Sequence, residues 1–161
     1  MEVLWAGWRS TYMSEVQAGT APGVCLFCNL PASDDSTAYI LERGGAAFSV
    51  LNLYPYTSGH LMIAPYRHVG APAGLRDEER GEIWDLLARS QAALDAALGP
   101  DGFNLGANLG RAGGAGVPDH FHLHVVPRWT GDANFMTATA NTRILPEPLA
   151  DTWQRLRTAL A

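Results

Sequence analysis

The 161-residue sequence contains no lysine; all eleven of its basic residues are arginine. This excludes lysine Schiff-base chemistry and lysine phosphate clamps, and leaves Arg67, Arg111 and Arg128 as candidate phosphate partners. Sixteen acidic residues outweigh them and give a net charge of −5. Nucleic-acid polymers and acidic membranes are therefore disfavoured as partners, whereas a small anion held by local groups is not. Long apolar runs are missing too: nothing approaches a membrane span, and the opening MEVLWAGWRSTYM has no h-region. A soluble, cytoplasmic protein is expected. Cysteine is nearly absent, and both copies sit in CLFC, at Cys25 and Cys28. In a reducing compartment that spacing suggests metal or redox chemistry more than a structural disulfide.

What is present suits one domain over residues 1–161, long enough to bury a real core. After an aromatic-rich lead (Trp5, Trp8, Tyr12), TAYILER and AAFSVLNLYP read as two strands of a hairpin turning at Gly44-Gly45. HLMIAP reads as a third strand ended by Pro65. Over about 77–98, Ile83, Leu86, Leu87, Leu94, Ala97 and Leu98 recur at helical spacing. Asp77, Glu78 and Glu79 suit the start of that helix, and Gly99-Pro100 stops it. FNLGANL reads as a fourth strand, a glycine-rich loop follows, and a short helix begins near Pro146. Strands flanking one long helix predict an α+β domain with an antiparallel sheet.

The stretch PDHFHLHVVPRW carries three of the five histidines at every second position. On a strand, His120, His122 and His124 share one face while Phe121, Leu123 and Val125 share the other. The apolar face is core and the polar face a site, because each imidazole adds two ring nitrogens to be satisfied. Gly110, Gly113, Gly114 and Gly116 in the preceding loop let backbone N–H groups approach an anion. Asn52 and Asn108, at strand ends, are either ordinary turn residues or hydrogen-bonding groups for ribose or phosphate.

NLYPYTSGHLMIAPYRH followed by NLGRAGGAGVPDHFHLHVVPR resembles the histidine triad superfamily of nucleotidyl hydrolases and transferases, over about residues 25–135, leaving 136–161 as a C-terminal extension. With PRWTGDANFM added, it is most similar to the actinobacterial diadenosine tetraphosphate phosphorylase branch. The resemblance implies a histidine triad-like α+β fold, an intertwined homodimer and a nucleotidyl-histidine intermediate. It matches His122 to the nucleophile, His124 and His60 to supporting histidines, Asn52 to the ribose contact and Asn108 to the asparagine before the phosphate loop of Gly113, Gly114 and Gly116. Many members have glutamine four residues before the first triad histidine; here that position is Gly116. The departure argues against simple hydrolysis to AMP and leaves room for inorganic phosphate as acceptor, with ADP as product.

Cys25, Cys28, His68 and His120 make a Cys₂His₂ set suited to closed tetrahedral zinc, and some members of the superfamily have zinc ligands at matching places. His120 would then be structural, with His122 left as nucleophile at a solvent-facing position. The alternatives are a phosphoramidase or other hydrolase releasing AMP, a nucleotide-binding protein without turnover, and a metalloprotein using His120, His122 and His124 together as ligands.

Overall fold

The computed structural model describes residues 24–132 and 147–161. Its sheet is built from β1 (Ile40–Arg43), β2 (Ala47–Leu51), β3 (Leu61–Pro65), β4 (Gly102–Gly106) and β5 (Leu123–Arg128), all antiparallel, in the order β1-β2-β3-β5-β4. Four helices accompany it among the described residues: the single turns α1 (Leu26–Asn29) and α2 (Asp35–Ala38), the long α3 (Asp77–Leu98) and the C-terminal α4 (Leu149–Leu160). The architecture is the α+β arrangement expected. No helix of the described residues is long and apolar enough to cross a membrane.

Period-two alternation divides the core between the faces of the sheet. Leu61 and Ile63 of β3 join Ile83, Leu86, Leu87 and Leu94 of α3, together with Phe121, Val125 and Leu156, on one face. Met62 and Ala64 point the other way and meet Phe27, Phe48 and Val50 beneath α1. The histidines lie on this second side. Glu79 ties α3 down: its carboxylate accepts the Arg76 N–H at 2.7 Å and is forked by Arg67 at 2.8 and 2.6 Å. The Arg67 guanidinium holds its pKa down to about 2, well below the ordinary carboxylate value.

Three expectations are corrected. TAYILER is not strand throughout, because α2 occupies its start and Tyr39 turns left-handed at φ 55° before β1 begins. The fourth strand stops at Gly106 rather than running to Leu109. The histidine row is not one strand either: β5 opens only at Leu123. The Phe121 N–H instead bonds the Val69 carbonyl at 2.6 Å, outside the sheet ladder. The aromatic lead and the ANFMTAT part of the C-terminal motif lie outside the described residues.

Candidate active site

Although His120 and His122 precede the ladder, the extended chain preserves the alternation, and Phe121 and Val125 enter the α3 core while the imidazoles face α1. His122 is only 5% exposed, not solvent-facing, because Phe27 stacks on its ring with centroids 4.7 Å apart. Its Nδ1–H donates to the His120 carbonyl at 2.8 Å. That bond fixes the tautomer and leaves Nε2 with its lone pair. Burial pushes the His122 pKa below the ordinary imidazole value, only partly offset by the carbonyl bond, so the ring is neutral near pH 7.

The neighbouring pair carries the opposite tautomer at the cavity. Tyr56 N–H donates to His60 Nδ1 at 3.1 Å, so the His60 proton sits on Nε2. His60 Nε2 lies 3.0 Å from His124 Nδ1 and donates to it. His124 therefore carries its proton on Nε2. The result is an unprotonated nitrogen on His122 beside a protonated one on His124, with ring centroids 5.0 Å apart.

Both rings line a cavity of about 230 Å³ whose wall includes Phe27, Leu30, Val50 and Met62, with Asn52, Asn108, Gly114 and Gly116 at its polar part. An apolar slot with a few polar groups at one end suits a flat heterocycle joined to a charged group. Asn52 also accepts the Tyr54 N–H at 3.0 Å and lies 3.4 Å from His60 Nδ1, so it braces the relay as well as lining the slot. Gly114 turns at φ +81°, whereas Gly116 has no positive φ. Gly113 is not in the wall: a Cβ there would lie 2.4 Å from the Leu109 carbonyl oxygen, which makes it a requirement of the turn.

The second cluster lies on the other side of His120. Ligand atoms of Cys25, Cys28, His68 and His120 all fall within 4.8 Å of one another. His120 Nε2–H donates to the buried Pro65 carbonyl at 2.8 Å, which turns Nδ1 toward the thiols. Nδ1 lies 3.2 Å from Cys25 Sγ and 3.5 Å from Cys28 Sγ, while His68 Nδ1 lies 3.4 Å from Cys28 Sγ. Tetrahedral zinc with ordinary bond lengths places sulfur and nitrogen about 3.5 Å apart, so this donor set fits such an ion. The carbonyl partner on the far nitrogen is the support a metal-bound histidine normally has.

Of the three candidate arginines, Arg67 is taken by Glu79 and the Gly74 carbonyl. Arg128 is held by Asp132 and by Asn104 Oδ1. Sequence reasoning also passed over Phe27 and Tyr56. The only hint for Phe27 was its place between the two cysteines.

The fold and these two clusters define an α+β domain with two histidines of opposite tautomer at one cavity beside a Cys₂His₂ cluster. Residues 35–131 match the HIT domain, and the chain belongs to that family. It is similar to AP-4-A phosphorylase of Mycobacterium tuberculosis, 36% identical over 166 residues that span all of this chain and 85% of that protein. Adenosine 5'-monophosphoramidase of Schizosaccharomyces pombe is 28% identical over 104 residues, covering 65% of this chain and 74% of its own. Among solved structures, a zinc-bound histidine triad family protein from Mycobacterium smegmatis superposes with a TM-score of 0.68 at 28% identity, covering 84% of this chain and 92% of that one.

Proposed function

We propose that this chain transfers a nucleoside monophosphate from diadenosine tetraphosphate to inorganic phosphate, yielding ATP and ADP. The observation that carries the reading is the pairing of an unprotonated His122 Nε2 with a protonated His124 Nε2 beside one slot. His122 Nε2 attacks the α-phosphorus; a P–N bond forms, the P–O bond to the polyphosphate breaks, and the His124 proton passes to the leaving oxygen as ATP departs. A phosphate oxygen then attacks the same phosphorus. The P–N bond breaks, ADP forms, and the proton released by the incoming phosphate returns to His124. His60 keeps His124 in the donating tautomer, Asn52 and Asn108 are assigned to the ribose and phosphate, and Gly114 and Gly116 to the loop around the phosphate.

Cys25, Cys28, His68 and His120 are assigned as ligands of structural zinc, which would cross-link the α1 segment to the approach to β5. A second copy pairing along the open edge of β4, where Leu105 is 49% exposed, is the proposed homodimer. Two free thiols suit the cytoplasm.

Product analysis tests the reading. Diadenosine tetraphosphate incubated with the protein in phosphate buffer is expected to give ADP plus ATP, and only slow AMP formation without phosphate. AMP at the same rate in both conditions would make the protein a hydrolase. The resemblance to the yeast phosphoramidase supports that second reading.

A further inference from the structure

The face of the sheet that presents His122 and His124 continues past them. Along β5 the same alternation brings Val126 and then Arg128 to that face, and the register sets Gly106 opposite His124, Asn104 opposite Val126 and Gly102 opposite Arg128. Two glycines and one asparagine leave this part of the sheet low. A Cβ at Gly106 or Gly102 would meet nothing within 4 Å. The outcome is a second cavity, an open groove of about 340 Å³, floored by Asn104, Gly106 and Val126 and closed at its far end by Arg128.

Tyr56, Asn108 and His124 belong to both cavities, whereas His122 lines only the first. The proton donor is therefore the divide between them. In phosphoryl transfer the attacking and departing atoms lie roughly in line across the phosphorus. With attack from His122, departure is toward His124 and the groove beyond it. The four residue steps from His124 to Arg128 span about 13 Å at the rise of a strand, room for several linked phosphates.

The groove also has the chemistry for an anionic chain. Arg128 Nε and Nη2 bond Asp132 at 2.5 and 2.7 Å, and Nη1 donates to Asn104 Oδ1 at 2.7 Å. This triad holds the guanidinium in place, and two of its five N–H groups are not used in these bonds. Because Asn104 Oδ1 accepts from Arg128, its amide nitrogen keeps both donors.

We infer that the groove from His124 to Arg128 is the subsite for the polyphosphate chain of the leaving nucleotide, with Asn104 and Arg128 as its specificity-determining residues. The inference rests on the nucleotidyl-transfer reading and deepens it. Because the acceptor attacks the nucleotidyl-histidine along the path by which the first group left, inorganic phosphate enters through the same groove.

Affinities measured in a His122→Asn background, which prevents turnover, test the groove without reference to activity. Adenosine 5'-tetraphosphate is expected to bind at least roughly tenfold more tightly than AMP, as a pair of charge-assisted hydrogen bonds gives. Arg128→Ala and Asn104→Asp should each bring that ratio toward one; Asn104→Asp guards against loss of the Arg128 turn. Equal affinities for the two nucleotides, or a ratio that both variants preserve, would overturn the subsite. In the otherwise native enzyme, the ratio of kcat/KM for diadenosine tetraphosphate to that for adenosine 5'-phosphoramidate, which has no phosphate chain, should fall at least roughly tenfold in both variants. An equal fall on both substrates would show that Arg128 and Asn104 only support the fold, and would also overturn it. Failure of the native enzyme to turn over either substrate would sink the transfer reading, and the affinity ratio would still decide the groove.

Discussion

His120 and His122 are two residues apart on one face of one extended segment, yet their surroundings make them different reagents. Both rings have one nitrogen donating to a backbone carbonyl, His120 to Pro65 and His122 to His120 itself. The difference lies at the second nitrogen. That of His120 faces two thiols and His68, and that of His122 faces a slot with the Nε2–H tautomer of His124 beside it. The same carbonyl device thus suits the proposed metal ligand in one place and the proposed nucleophile in the next. What separates the two is what lies at that nitrogen: the thiols of the α1 turn for His120, or the cavity shared with the glycine loop and His124 for His122.

The strongest way to break this comparison is His122→Ala. Loss of the nucleophile is expected to lower turnover by roughly a thousandfold or more, while circular dichroism and nucleotide affinity stay close to those of the native protein. Native enzyme quenched during turnover should yield an acid-labile, base-stable phosphorus adduct. Retention of more than about a twentieth of the activity would refute the covalent route. The acid limb of the native kcat/KM profile adds a check. The nucleophile must be neutral, and burial lowers the pH at which it protonates, so activity should persist below the ordinary imidazole value of 6.5. A limb above 6.5 would contradict the buried, neutral ring.

The other end is probed by Cys28→Ser. Metal content and melting temperature are expected to fall together, the latter by about 5 °C or more, because closure of a metal site is coupled to local folding. Stoichiometric metal analysis that finds none in the native protein would return His68 to an ordinary loop residue. Retention of metal by a Cys25→Ser, Cys28→Ser double variant would instead favour the histidine row as the ligand set.

How far this division was legible in the sequence depends on whether the cause was local. Alternation of His122 and His124 with Phe121, Leu123 and Val125 is local, and it set the faces correctly even though β5 begins only at Leu123. The limits of α3 were also legible, because its acidic first turn and left-handed Gly99 are local stop and start signals. Burial of His122 was not, since it depends on Phe27 arriving from nearly a hundred residues away. Nor was the state of the arginines: Arg67 lies twelve residues from Glu79, and nothing in the spacing said that their pairing would withdraw it from the site. Tyr56 was hidden for another reason: its hydrogen bond to His60 comes from a backbone N–H that any residue but proline supplies, and its ring meets His60 and His124 only in the folded chain.

A milder perturbation sharpens the acceptor side. Gly116 lines the slot and is not among the glycines with positive φ, so its backbone conformation does not by itself bar Gly116→Gln. A side-chain amide there would add a donor and an acceptor able to hold a water molecule. The ratio of AMP to ADP formed from diadenosine tetraphosphate in phosphate is expected to rise by about fivefold to tenfold, the worth of one hydrogen bond at a site of charge transfer. An unchanged ratio would show that loop backbone, rather than the missing amide, sets the preference for phosphate.

The smallest effect is expected where the two ends meet. Phe27 lies between the two cysteines in sequence and stacks on His122 with an interplanar angle of 28°, so one turn of chain serves both clusters. An aromatic pair of this kind contributes about 1 kcal/mol beyond the area it buries. Phe27→Leu retains an apolar side chain but loses the stack, and His122 gains rotational freedom about its single carbonyl bond. Turnover at saturating nucleotide should fall by about threefold to tenfold, with Phe27→Tyr restoring most of it and metal content unchanged in both. If Phe27→Leu releases metal as readily as Cys28→Ser, the aromatic ring is part of the metal clip. If it raises only KM, Phe27 is a wall of the base slot and no more. A fall in kcat with metal retained would show that the turn which carries the thiols also holds the nucleophile in place.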